Sequence, residues 1–265
     1  MVMYFNSLNA QRFNSDYDGD ALGCYGVHSN QGKYDALNYM TPQKNIVFEH
    51  NLSLIDTVEH ESIQAAYMLS VNAFKPYTGI ETLEINTLKD IEFIPDMVIN
   101  KANIPVQIKD KNIILPYNAV LINKALNTGE ILYTEHFLNK KNLYKLIYKM
   151  YEESGDELYH DNLWNFNKFL LWCSTVIPYC NTSFDLNHFA ITDKTINEFK
   201  KTLINEPYTG FHQNQLLFDN HVSKLINHDK DNVLSNVSNS GARIKNVQLL
   251  KAASNNGIPT DINGS

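Results

Sequence analysis

Apolar positions change their spacing near the middle of the chain. Between residues 4 and 30, Gly19, Gly23 and Gly26 punctuate short runs of aromatic and small residues. That pattern predicts short strands and turns. His60–Ser70 carries Ile63, Ala66, Tyr67 and Leu69 at helical spacing and predicts a helix. Through 72–130, Pro76, Pro95, Pro105 and Pro116 interrupt β-branched runs such as Asn112–Leu115, which predicts loops and short strands. Beyond Gly129 the pattern turns helical. Asn139 is placed to cap a helix whose Leu143, Leu146, Ile147, Met150 and Tyr151 form one stripe. Asp161 opens another, with Trp164, Phe166, Phe169, Leu170 and Cys173. Thr192 or Asp193 starts a third, with Ile196, Phe199, Leu203 and Ile204. After Pro207 and Gly210 a fourth carries Leu217, Phe218, Val222, Leu225 and Ile226, so the third and fourth form an antiparallel hairpin. A last helix is expected over Arg243–Asn255, ending at Gly257 and Pro259. There is no internal repeat.

Composition narrows the function classes. The 265 residues suit one large domain or two small ones, and 43% hydrophobic with 19% charged content is ordinary for a chain with a real core. No apolar run reaches the roughly 18 residues of a membrane span, and the first residues lack the basic start and apolar stretch of a signal peptide. Cys24, Cys173 and Cys180 form neither a disulfide framework nor a zinc pattern, which predicts a reducing compartment, the cytoplasm, and no zinc. A net charge of -7 argues against gripping nucleic acid by bulk positive charge, while leaving local sites open. About one residue in eight is Asn, and Lys, Ile and Tyr are also frequent, a bias associated with AT-rich genomes such as those of many phages.

The densest chemistry is Asn14-Ser15-Asp16-Tyr17-Asp18-Gly19-Asp20. Three carboxylates at i, i+2 and i+4 repel one another. On a flat strand each step separates them by about 6.7 Å, too far to share one small cation. On a helix the i and i+2 side chains diverge. A curled loop brings all three inward, and Gly19 supplies the backbone freedom for the curl. Converging oxygens suit a hard ion, and Mg²⁺, which keeps waters for substrate phosphates to replace, fits best. An EF-hand calcium loop shares the Asp-x-Asp-x-Asp opening but needs Gly where Ala21 stands and Glu where Val27 stands. A solvated acidic turn is the bland alternative. The small apolar stretch Ala21-Leu22-Gly23-Cys24 that follows reads more like a buried strand than a surface tail.

This segment resembles the Asn-Ala-Asp-Phe-Asp-Gly-Asp loop of the largest, β′-like subunit of multisubunit DNA-directed RNA polymerases, with Ser15 for Ala and Tyr17 for Phe. Weaker similarities follow in the family's order. Thr128-Gly129-Glu130-Ile131-Leu132 resembles its Thr-x-Gly-Arg-Ile-x-Phe segment. Leu138–Leu143, with Leu146, Ile147 and Tyr151, resembles its Leu-x-Lys-Lys-x-Leu helix. Ser183-Phe184-Asp185-Leu186, with Phe189 and Ile191, resembles the entry to the helices rimming the secondary channel. Ser240-Gly241-Ala242-Arg243 resembles its Ser-Gly-Ala-Arg turn, and Gln248, Gly257, Gly264 and Ser265 follow at family spacing. The resemblance spans nearly the whole chain and is weakest over 72–127.

The resemblance implies an α+β fold: the edge of a double-psi β-barrel carrying the metal loop, then a mostly helical funnel with a short helical hairpin. The implied division is 1–58 partial barrel, 59–135 mixed funnel segment, 136–191 helical funnel or pore, 192–228 rim hairpin, and 229–265 leading toward a bridge helix. Asp16, Asp18 and Asp20 would hold a tightly bound Mg²⁺, and a second Mg²⁺ would arrive with the nucleotide triphosphate. Asn14 would lie near the ribose hydroxyls of the incoming nucleotide, or simply form the turn. Arg243 and Lys245 would attract triphosphates, or be ordinary solvated helix residues.

Departures matter too. The family's loop continues Gln-Met-Ala-Val-His, where this chain has Ala21-Leu22-Gly23-Cys24-Tyr25, and its Ser-Gly-Ala-Arg continues Gly-Ser, where Ile244-Lys245 stand. Clamp, zinc-binding region, bridge helix, trigger loop and much of the barrel have no counterpart, which predicts either a split subunit, as in large phages, or a truncated reading. Expected partners are the remaining β′ parts, a β-like subunit, DNA template, RNA product and nucleotide triphosphates, in the host cytoplasm if the source is viral, with no membrane. Two other classes stand beside this one. One is a non-catalytic structural or regulatory fragment of the same assembly. The other is an unrelated Mg²⁺-dependent nuclease or phosphotransferase.

Overall fold

A computed structural model describes residues 4, 7–15, 18–48, 50–58, 60–177, 201, 232–244 and 248. The expected hairpin over Thr192–Asn227 (Lys201 apart), the Ser183–Ile191 segment, Cys180 and most of the Arg243–Asn255 helix lie outside them.

The hub is a helix that is apolar nearly all round. Helix α2 (Glu61–Ala73) buries eleven of its thirteen residues, including Ile63, Ala66, Tyr67 and Leu69, as the spacing predicts. A helix with no solvated face must be covered on every side. Helix α4 (Tyr117–Leu126), α5 (Lys140–Val176) and α6 (Val233–Ser240) all pack against it. The hydrophobic cluster that results runs from Ile46 to Ile177 and includes Val58, Leu69, Val106, Ile122, Leu143, Phe166 and Cys173.

An open three-stranded sheet lies beside this hub. Strand β1 (Leu83–Ile85) pairs parallel with β2 (Pro105–Ile108), Leu83 opposite Val106, and β2 pairs antiparallel with β3 (Ile113–Pro116), Val106 opposite Leu115. The parallel pair needs a crossover connection, and it contains the short helix α3 (Pro95–Asn100), with Pro95 in its first turn. The β2–β3 hairpin closes through Asn112 in the left-handed conformation. The chain is therefore mixed helix and sheet, and mostly helix.

Three local expectations are corrected. The stretch 4–30 contains no strand among its described residues. It forms a 3-10 helix over Ser7–Phe13, then irregular chain, then helix α1 (Asn30–Asn38), capped by the Ser29 hydroxyl. Second, α4 replaces part of the expected loop-and-strand region. Tyr117–Asn123 is buried without interruption, so the sequence there shows no amphipathic period and resembles a buried strand. Third, Asn139 caps α5 as expected, accepting from the Asn142 amide at 3.0 Å, but the next helix does not wait for Asp161. The chain breaks at Gly155 (φ 68°, ψ 176°) and resumes at once, because Asp156 and Glu157 suit a helix's first turn.

Asparagine holds much of this together. Asn123 in α4 is buried. It donates to the carbonyls of Ala119 and Tyr133 and accepts from the amides of Leu132 and Tyr133, fixing the strap that follows α4. Asn118 donates to Val98 at 3.2 Å, and Asn167 accepts from the Ser62 hydroxyl at 2.7 Å.

Candidate functional site

The aspartate loop leaves directly from an anchored residue. Arg12, at the end of the Ser7–Phe13 helix, grips Asp56 with two prongs, Nε to Oδ1 at 2.7 Å and Nη2 to Oδ2 at 2.5 Å. Its Nη2 also donates to the carbonyls of Asn45, at 2.7 Å, and Pro42, at 3.2 Å. Asp56 is 1% exposed. From the far half of α5, His160 Nδ1 lies 3.5 Å from Asp56 Oδ2 and its Nε2 lies 3.1 Å from the Pro42 carbonyl. Tyr159 donates its hydroxyl to the Asp56 carbonyl at 2.5 Å. Burial first, and the nearby Asp56 carboxylate second, push the Tyr159 hydroxyl well above the usual tyrosine range, so it stays a donor. The loop's stem is thus pinned to the helical body by charge-assisted bonds.

Beyond the stem the chain curls. The Ser15 amide donates to the Ala10 carbonyl at 3.1 Å, Asn14 takes a positive φ of 46°, and Gly19 takes φ 116°. Gly19 has open space where a Cβ would stand, so the conformation rather than crowding selects glycine there. Asn14, Asp18 and Asp20 are exposed, and Asp16 lies outside the described residues. Among the described residues no group of three or more His, Cys, Asp or Glu is placed to hold a metal ion. The donor set of the loop, carboxylate oxygens alone, fits the chemistry of a hard cation.

The Ser-Gly-Ala-Arg turn closes α6 and docks on α2. Gly241 takes the left-handed C-cap conformation, φ 72°, and a Cβ there would stand 3.3 Å from Lys140 Cβ. Buried Ser240 Oγ lies 2.9 Å from the Gln64 side-chain amide of α2 and accepts from the Ala242 amide at 3.1 Å. Arg243 Nη2 reaches Glu61 Oε1 at 3.3 Å across an exposed pair, so its charge is shared with a carboxylate. Lys245 lies outside the described residues. A cleft of about 300 Å³ beside this turn is lined by His60, Glu61, Gln64, Ser174 and Arg243.

Sequence reasoning did not single out Arg12, Asp56 or His160. Their separations of 44 residues or more leave no local motif, and the one available signal was an arginine immediately before the acidic loop.

No family model matches the chain, and no curated protein matches it. Among the described residues no helix is long and apolar enough to cross a membrane.

Proposed function

We propose that the chain is the catalytic-metal part of a β′-like subunit of a DNA-directed RNA polymerase, working by template-directed nucleotidyl transfer and active only together with the subunit's other parts. The observation that carries this is the seven-residue loop Asn14–Asp20, with its alternating carboxylates and the glycine at φ 116°. Two features support it. The loop's stem is tied to the helical body through Arg12 and Asp56, as a rigidly placed site requires. The Ser240–Arg243 segment forms a tight left-handed turn, so its glycine has a conformational reason to be there. The double-psi barrel belongs to this proposal, as the fold that the remaining parts would complete.

Asp16, Asp18 and Asp20 would hold Mg²⁺, and the ion would supply charge stabilisation at the attacking oxygen and the α-phosphate. The chain's own residues do the rest. Asn14 would offer both a donor and an acceptor to a ribose, Gly19 at φ 116° gives the loop the backbone freedom to bring its carboxylates together, and Arg12 would hold the stem against displacement when the carboxylates repel one another.

The deciding experiment is RNA extension by the assembly purified with this chain from its source. Asp18→Ala should abolish extension while leaving assembly intact, because Asp18 is exposed and its loss removes one carboxylate from the ion. Extension at the unsubstituted rate would overturn the catalytic reading.

A further inference from the structure

The first half of α5 carries an unusual charge. Its first three turns hold Lys140, Lys141, Lys145 and Lys149 and no acidic residue, in a chain of net charge -7. Two of these sit in the first turn, where the helix dipole disfavours cations. Lys141, Lys145 and Lys149 follow one another at i and i+4, so like charges are neighbours along one stripe. None of these three makes an ion pair with a described residue, whereas Lys101, Lys109 and Lys111 each pair with a glutamate. At 1.5 Å of rise per residue the stripe is about 12 Å long.

The stripe overlooks a cleft. Between α5 and the strap after α4 lies a cavity of about 260 Å³, lined by Thr134, His136, Asn142, Lys145 and Lys149 among others. Asn123 fixes the strap's start, and Tyr133 donates to the His136 carbonyl at 2.8 Å, where His136 itself takes φ 80°. Glu135 is the acidic group on that wall, and it lies 3.4 Å from His136 Nε2. Glu153, four residues beyond Lys149, ends the stripe, with Glu152 beside it at i+3. Tyr148, partly exposed and edge-on to Tyr151, lies on the neighbouring stripe of α5 and does not line the cleft.

We propose that this face of α5, with its cleft, binds the phosphate backbone of a single-stranded nucleic acid. Clustered lysines with no carboxylate partner among the described residues cost stability unless an anion offsets them. An elongated stripe suits a chain of phosphates better than one compact polyphosphate. Such backbone binding is electrostatic and salt-dependent. The site shares no residue with the aspartate loop, so it stands or falls separately from the polymerase reading.

The test is fluorescence anisotropy of a labelled oligothymidylate with the full chain across a salt series. Lys145→Gln/Lys149→Gln keeps helix propensity and should weaken binding roughly fivefold or more at low salt. It should also lower the salt slope by roughly 1.4, about 0.7 for each lost phosphate contact. The control Lys101→Gln/Lys109→Gln removes the same net charge from paired lysines and should change little. Equal losses in both double variants, or no loss in either, would overturn the proposal. So would polyglutamate or inorganic tripolyphosphate competing as well as the oligonucleotide at equal charge.

Discussion

Arg12 and Asp56 meet as a two-pronged ion pair across 44 residues of chain, with the carboxylate fully buried and the guanidinium nearly so. Because the charges are out of water, the pair's worth lies in what happens when one member is removed. Asp56→Ala strands Arg12 beside two carbonyls. Arg12→Ala leaves the Asp56 carboxylate buried with His160 as its nearest side-chain partner. Each is expected to cost about 3 kcal/mol in urea unfolding, and the double variant less than the sum. Strictly additive losses would show that the two groups do not act as a pair.

Gly155 divides α5 at φ 68° and ψ 176°, a region essentially closed to residues with a Cβ. Nothing lies within 4 Å of a Cβ built there, so crowding adds nothing to the cost. Gly155→Ala is expected to lose about 1–3 kcal/mol through backbone strain alone, read as a lower urea midpoint with unchanged m-value. A gain in stability would mean that the two halves prefer one continuous helix.

How legible was this fold? Helix α2 and the cap and stripe of α5 were readable, because amphipathic spacing and a capping Asn are local signals. Helix α4 was not. It is buried along Tyr117–Asn123 and follows Pro116 without a spacer, so nothing in its sequence separates it from a core strand. The N-terminal stretch misled in the opposite way, since glycines and aromatics that resemble strand punctuation belong to a 3-10 helix and irregular chain. The aspartate loop was visible as a motif. Its anchor was not, because Arg12, Asp56 and His160 come together only through tertiary packing. The asparagine excess, which looked like a compositional accident, includes residues such as Asn118, Asn123 and Asn139 that satisfy backbone groups in the folded chain.

Cys173 and several tyrosines set the response to alkali. Burial pushes the Cys173 thiol from an ordinary 9.0 up to about 12, and burial likewise raises Tyr67, Tyr117, Tyr133 and Tyr159 above 10.0. Groups whose folded values are raised keep their stabilising share below the unfolded value and lose it as pH climbs past it. Stability should therefore be free of these groups' influence up to about pH 9 and fall progressively above it. Peptide mapping after thiol labelling of the native chain at pH 8 should leave Cys173 unmodified and modify exposed Cys24. Native-state labelling of Cys173 at the rate of an unfolded peptide would contradict the burial.

The last prediction concerns autonomy. Helix α1, a few residues beyond the aspartate loop, has no buried residue, and Leu37 and Met40 are 71% and 73% exposed, with Tyr34 and Tyr39 also open. A helix that buries nothing gains little from packing, and isolated helices this short are marginal in water. In the proposed assembly, barrel strands and neighbouring chains would cover this arm and hold the RNA end and triphosphate in line, and positioning supplies much of the rate of phosphoryl transfer. The lone chain should accordingly be inactive in template-directed extension. Hydrogen exchange across 30–41 should be fast in the lone chain and protected once the other parts of the proposed assembly are co-expressed, with extension appearing in the same preparation. Mn²⁺ should replace Mg²⁺ in that preparation, and Zn²⁺ should not support efficient turnover, since the loop offers oxygen ligands alone. Template-directed synthesis by a clean monomer, with the arm still exchanging freely, would overturn the proposal that the chain works only within an assembly.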